Sequence, residues 1–182
     1  MRLVVRDHDD VKLYAIALLF FVLPISEPSQ GHKAADPRYA PLWLYQGAWD
    51  VSRQGADPKS KPERLVNQCA LLGEYFACAQ NVNGKPGSLI IFLPAEKSGS
   101  YYTQSITTEA RATGRADLEI SGDRWIYLSR WPQGDGKITY YKTTNIFTGK
   151  DRIHFEQAES PDNAKWTTTG SGDEVRVSSG RQ

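Results

Sequence analysis

The sequence predicts an all-β fold: an antiparallel, up-and-down β-barrel of about ten strands, entered through a short N-terminal helical turn. Three observations predict it. From Trp43 to Val177, turn signals recur along the chain, most of them eight to fifteen residues apart, at Gly73-Glu74, Asn83-Gly84, Ser98-Gly99, Gly122-Asp123, Gly134-Asp135-Gly136, Gly149-Lys150, Asp162-Asn163 and Gly170-Ser171-Gly172. The segments between them are dense in aromatic and β-branched residues, which fit a pleated, half-buried surface. No helical stretch separates those segments, so consecutive hairpins are expected rather than βαβ crossovers.

The elements follow in order along the chain. Leu13 to Ile25 (LYAIALLFFVLPI) is thirteen residues without a charge, preceded by Arg2, Arg6 and Lys12 and followed by the small, polar stretch Ser26 to Gly31. That pattern marks residues 1–31 as a secretory signal peptide. The run is shorter than the ~20 apolar residues a spanning helix needs, so no stable membrane anchor is expected once the leader is removed. The expected location is periplasmic or secreted. Residues 32–41 form a polar, proline-containing lead-in, and Tyr39 to Tyr45 is the one helical candidate, a turn before the first strand. The barrel domain is expected over 42–178, with 179–182 as a tail.

Within that domain the clearest strands are 64–72, 75–82, 88–93, 124–131, 137–147 and 152–158. Gly55 to Pro62, rich in Lys, Pro and Asp, reads as an exposed loop. A meander this long has two exposed edges unless it closes on itself, and closure into a barrel removes both. A two-sheet sandwich is the competing arrangement.

Composition narrows the partners. The chain has 182 residues, enough for one well-cored domain, with 22 basic and 21 acidic side chains. A leader ending at Gly31 takes away three of the basic and four of the acidic residues, leaving a net charge of +2. So small a surplus offers a nucleic acid or an anionic membrane no electrostatic handle.

Cys69 and Cys78 are placed by the turn between them. If Gly73 and Glu74 are the central residues of a hairpin turn, Leu72 faces Tyr75, and counting outward sets Cys69 opposite Cys78. That pair falls on a non-hydrogen-bonded site, where Cα atoms approach to ~4.5 Å and a bridge forms with little backbone movement. An oxidising compartment makes a disulfide the expected state, and two small buried thiols are the alternative in a reducing one. Their separation matches no common zinc spacing and no histidine lies nearby, so no metal site is expected.

The residues around Trp49 carry a resemblance. Gly47-Ala48-Trp49, within LYQGAWDV, resembles the Gly-x-Trp that opens the first strand of lipocalin-like, calycin-type β-barrels. The chain is similar, over about residues 42–177, to an uncharacterised family of exported bacterial lipocalin-like proteins, with Glu159, Lys165-Trp166 and Val175-Arg176 in the terminal pattern. The resemblance implies a barrel closed at one end by Trp49, with Gly47 beside it and Arg176 over the indole. It also implies a small apolar molecule as ligand.

Catalytic constellations are absent. There is no Gly-x-Ser-x-Gly elbow, no Ser-x-x-Lys dyad and no phosphate-binding glycine loop. Carboxylate pairs such as Glu156 with Glu159, or Asp117 with Glu119, read as solvated strand faces. A haem would need an axial ligand, and His154 is the candidate. Alternation turns Ile153 and Phe155 inward and leaves His154 with Arg152 and Glu156 outside, so no cofactor is expected.

Aromatic residues are the remaining functional candidates. Trp125, Tyr127 and Trp131 share one face of their strand, while Tyr140 and Tyr141 fall on opposite faces of the next. Trp125, Tyr127, Trp131 and Tyr140 are the candidates to line the interior, either as walls of a site for a small hydrophobic or amphipathic molecule or as rings that fill the core of a structural or protein-interaction barrel.

Overall fold

The structure, a computed structural model, describes residues 36–177. The leader at 1–31, the first residues of the lead-in and the tail at 179–182 lie outside the described residues. Ten antiparallel strands close into one barrel: β1 (Gly47–Arg53), β2 (Glu63–Leu72), β3 (Tyr75–Val82), β4 (Lys85–Pro94), β5 (Ser100–Ile106), β6 (Ala116–Ser121), β7 (Arg124–Pro132), β8 (Ile138–Thr148), β9 (Arg152–Ser160) and β10 (Thr167–Arg176). Each strand pairs with its neighbours in sequence, and β10 returns to pair with β1. Closure satisfies both edges of the meander, which is why the barrel prevails over the sandwich.

A nine-residue 3-10 segment, Pro37–Tyr45, precedes β1 and plugs the end of the barrel where β1 begins. It starts earlier than the expected turn at Tyr39, and with Tyr39 and Leu42 both buried it draws Pro37 to Pro41 out of the lead-in and into the packed domain. The local sequence explains the start. Pro37 lacks the N–H that a helix leaves unbonded there, and the Asp36 carboxylate accepts a 2.9 Å hydrogen bond from the Arg38 N–H. Tyr39 then stacks on Phe76 at 5.8 Å and donates to the Glu74 carbonyl at 2.7 Å, holding the plug to the β2–β3 hairpin.

The Gly170-Ser171-Gly172 turn expected from the sequence does not exist; all three residues run inside β10. The glycines serve the strand in other ways. The register of β10 against β9 slips between Thr168 and Gly170, a bulge. At Gly172 the strands come so close that a Cβ would lie 2.2 Å from the Ser52 carbonyl oxygen and 2.7 Å from the Phe155 ring.

Registers decide which side chains face inward, because directly opposed residues share a face. Trp49, Phe76, Phe92, Leu118, Trp125, Phe147 and Ile153 all turn inward and are buried, filling the plugged half of the barrel. Cys69 lies opposite Cys78, with Cα atoms 4.0 Å apart, and the two form a disulfide on that inner face. Among the described residues no helix is long and apolar enough to cross a membrane.

Candidate functional site

Two regions organise the barrel interior: the closure at the plugged end and a polar lumen above it. At the closure, Trp49 on β1 is fully buried and directly opposite Arg176 on β10. The guanidinium lies 4.0 Å above the indole ring. It also donates to three backbone carbonyls, those of Leu44 at 2.7 Å, Lys150 at 2.7 Å and Gln46. Those acceptors come from the end of the 3-10 segment and from the β8–β9 turn, so one side chain ties plug, first strand and last strands together. Gly47 makes room for it. Its φ of +126° suits glycine, and a Cβ there would lie 2.6 Å from Arg176 Nη1.

Above Trp49 the interior turns polar. A cavity of about 160 Å³ is bounded by Tyr45 of the plug and by Arg53, Glu63, Gln80, Asn145, Phe155, Gln157 and Glu174 of the strands. Tyr45 reaches it by stacking on Trp125 at 5.3 Å, and its hydroxyl accepts a 2.8 Å hydrogen bond from Asn145 Nδ2. The Tyr127 hydroxyl faces that of Tyr45 without completing a hydrogen bond of ordinary geometry. It and the Trp125 indole N–H are buried polar atoms with no partner among the described residues. Burial holds both tyrosine hydroxyls above their usual ionisation range. Burial likewise pushes the Glu174 carboxyl up to about 7, against the opposing pull of Arg53.

The four sequence candidates for the interior divide. Trp125 is fully buried and Tyr127 turns inward, on the same side of β7. Trp131 keeps that parity but sits at the strand's last turn inward, at the open mouth, where it is 40% exposed. Tyr140 does not line the interior. The register sets Tyr141 opposite Ser129, and so beside Tyr127 and Trp131 on the inner face, while Tyr140 opposes Arg130 on the outer one. Alternation alone places Tyr140 and Tyr141 on opposite faces, and only the pairing of β7 with β8 decides which is inside.

His154 is on the outer face, with Nδ1 3.1 Å from Asp173 Oδ1. The residues missed in the sequence are Tyr45, Asn145, Gln157 and Glu174. Glu174 carried one legible signal, a charge between Asp173 and Val175 at inward parity with Arg176.

No protein-family model matches the chain, and no curated protein matches its sequence. Among solved structures, the crystal structure of Rv2717c from M. tuberculosis is similar to it at a TM-score of 0.46 and 15% identity, covering 78% of this chain and 98% of that one.

Proposed function

We propose that this is an exported, lipocalin-like protein that binds a small amphipathic molecule in the barrel lumen. The observation that carries the reading is the cavity of about 160 Å³ between Tyr45 and the mouth. Its walls combine rings with hydroxyl, carboxamide and carboxyl groups. Apolar walls set with a few convergent polar groups are what a site for a small amphipathic molecule requires. Size limits that occupant. A cavity of about 150 Å³ accepts a benzene-sized molecule, so the cargo is about one six-membered ring.

Export is supported by the apolar run Leu13 to Ile25 and by the Cys69–Cys78 disulfide, a bond that persists in oxidising compartments. The exported fraction should begin near His32 by amino-terminal sequencing, and an intact Met1 on cytosolic protein would refute the reading.

Native mass spectrometry of the protein purified from its own host tests the binding. A ligand mass should accompany the wild type and be lost in Thr143→Trp, which fills the lumen from β8. A bare mass for both favours a second reading, an interaction barrel. That reading has its own support at the plugged end, where Trp43, Leu72 and Tyr75 are exposed at 42%, 57% and 53%.

A further inference from the structure

One carboxyl in the lumen makes no ion pair or hydrogen bond of its own among the described residues. Glu174 on β10 faces inward with its side chain partly buried, and no described residue gives it a hydrogen bond or an ion pair. The residues opposite it are Val51 on β1 and Ile153 on β9, both buried and apolar. Two other charges face the same space. Arg53 of β1 lies 4.0 Å from Glu63 of β2 and 5.7 Å from the Phe155 ring centroid, and its charge also acts on Glu174. Asp50, His154 and Asp173 lie on outward positions of β1, β9 and β10. The lumen therefore holds two carboxyls against one guanidinium.

We propose that the lumen binds a small organic monocation, a protonated amine carried on a body of about one ring, with the ammonium against Glu174. The inference rests on the lumen-binding reading above and adds the charge of the ligand. A cation brings the lumen to neutrality and supplies the donor that an isolated buried carboxylate needs. The Tyr45 and Phe155 rings line the same cavity and add apolar surface for the body of the ligand. An anion would meet two carboxylates, and a neutral ring would leave Glu174 unpaired. Because burial holds the Glu174 proton on up to about pH 7, a cation arriving at lower pH displaces that proton to solvent, one released per cation bound.

Calorimetry on the full chain with its disulfide intact, at pH 8, tests this with three probes of one shape: benzylamine, benzyl alcohol and benzoate. Benzylamine should bind the wild type, bind Glu174→Gln at least tenfold more weakly, and bind Arg53→Gln several-fold more tightly, since a competing cation is gone. Glu174→Gln keeps the side-chain shape and relieves a buried charge, so it should fold, and near-ultraviolet circular dichroism checks that it does. Equal benzylamine binding to wild type and Glu174→Gln, or none to the wild type, overturns the proposal. If benzyl alcohol binds as tightly as benzylamine and Thr143→Trp blocks both, the cation inference falls while lumen binding stands. Probe binding that Thr143→Trp leaves unchanged refutes the lumen itself.

Discussion

The Arg176 guanidinium lies 4.0 Å above the Trp49 ring while donating to the carbonyls of Leu44, Gln46 and Lys150. The indole is fully buried beneath it and donates its own N–H to the Tyr45 carbonyl at 3.2 Å. Trp49→Ala should cost ~3–5 kcal/mol, as truncation of a buried aromatic does. Arg176→Ala should cost ~2–4 kcal/mol, because three carbonyls lose a charged donor at once along with the cation–π contact. Arg176→Lys should recover only part of this, having no planar fork to bridge three acceptors. Denaturation of both single mutants and the double mutant measures the coupling. Simple additivity would mean that the two side chains act independently.

The disulfide should be closed in the folded protein and inaccessible. Denatured but unreduced protein should label no thiol, and replacing Cys69 and Cys78 together by alanine should cost ~2–3 kcal/mol for so short a loop. Two labelled thiols per chain without reduction would show the bridge to be absent.

Glycines of β10 should differ sharply in their tolerance of a methyl group. Gly172→Ala places a carbon 2.2 Å from the Ser52 carbonyl oxygen, which forces β1 and β10 apart and should cost ~1–3 kcal/mol. Gly170→Ala meets only Gln157 Oε1 at 3.5 Å and should stay within ~0.5 kcal/mol of wild type. Melting both variants beside the wild type checks the order. Equal losses would mean that the strands do not approach so closely at Gly172.

Stability should fall as pH rises across the range that Glu174 titrates. Folded protein holds this proton up to about pH 7, whereas the unfolded chain releases it near pH ~4.3. Between those values the native state binds more protons, so the contribution is complete below the lower value and lost above the upper, ~3–4 kcal/mol in all. Glu174→Gln should flatten that fall and be the more stable protein at pH 8. Urea titrations at pH 5 and pH 8 read this directly, and an unchanged pH slope in the variant would show that Glu174 is solvated.

Local chemistry made most of the strands legible. The Gly73-Glu74 turn sets the β2–β3 register by itself, so Cys69 opposite Cys78 follows from counting along two strands that no distant contact has to align. Trp49 and Arg176 are different, since they lie 127 residues apart and meet only because β10 returns to β1. Resemblance to closed barrels named that pair; spacing along the chain never brings it together.

The sequence by itself determined the meander, its turn positions and the hairpin that carries the disulfide, because these depend on neighbours in the chain and on the period of two along a strand. Tertiary structure decided the contents of the interior. Gly170 to Gly172 spell a turn locally, yet the contact of Gly172 with Ser52 and Phe155 keeps them in β10. The choice of Tyr141 over Tyr140 as the inward ring depends on the pairing of β7 with β8. The polar lumen exists only after closure, when Glu174, Asn145, Gln157 and the plug's Tyr45 converge from four separate stretches of chain. Each of those residues is ordinary in its own segment, and its role comes from the side chains that closure places across the barrel.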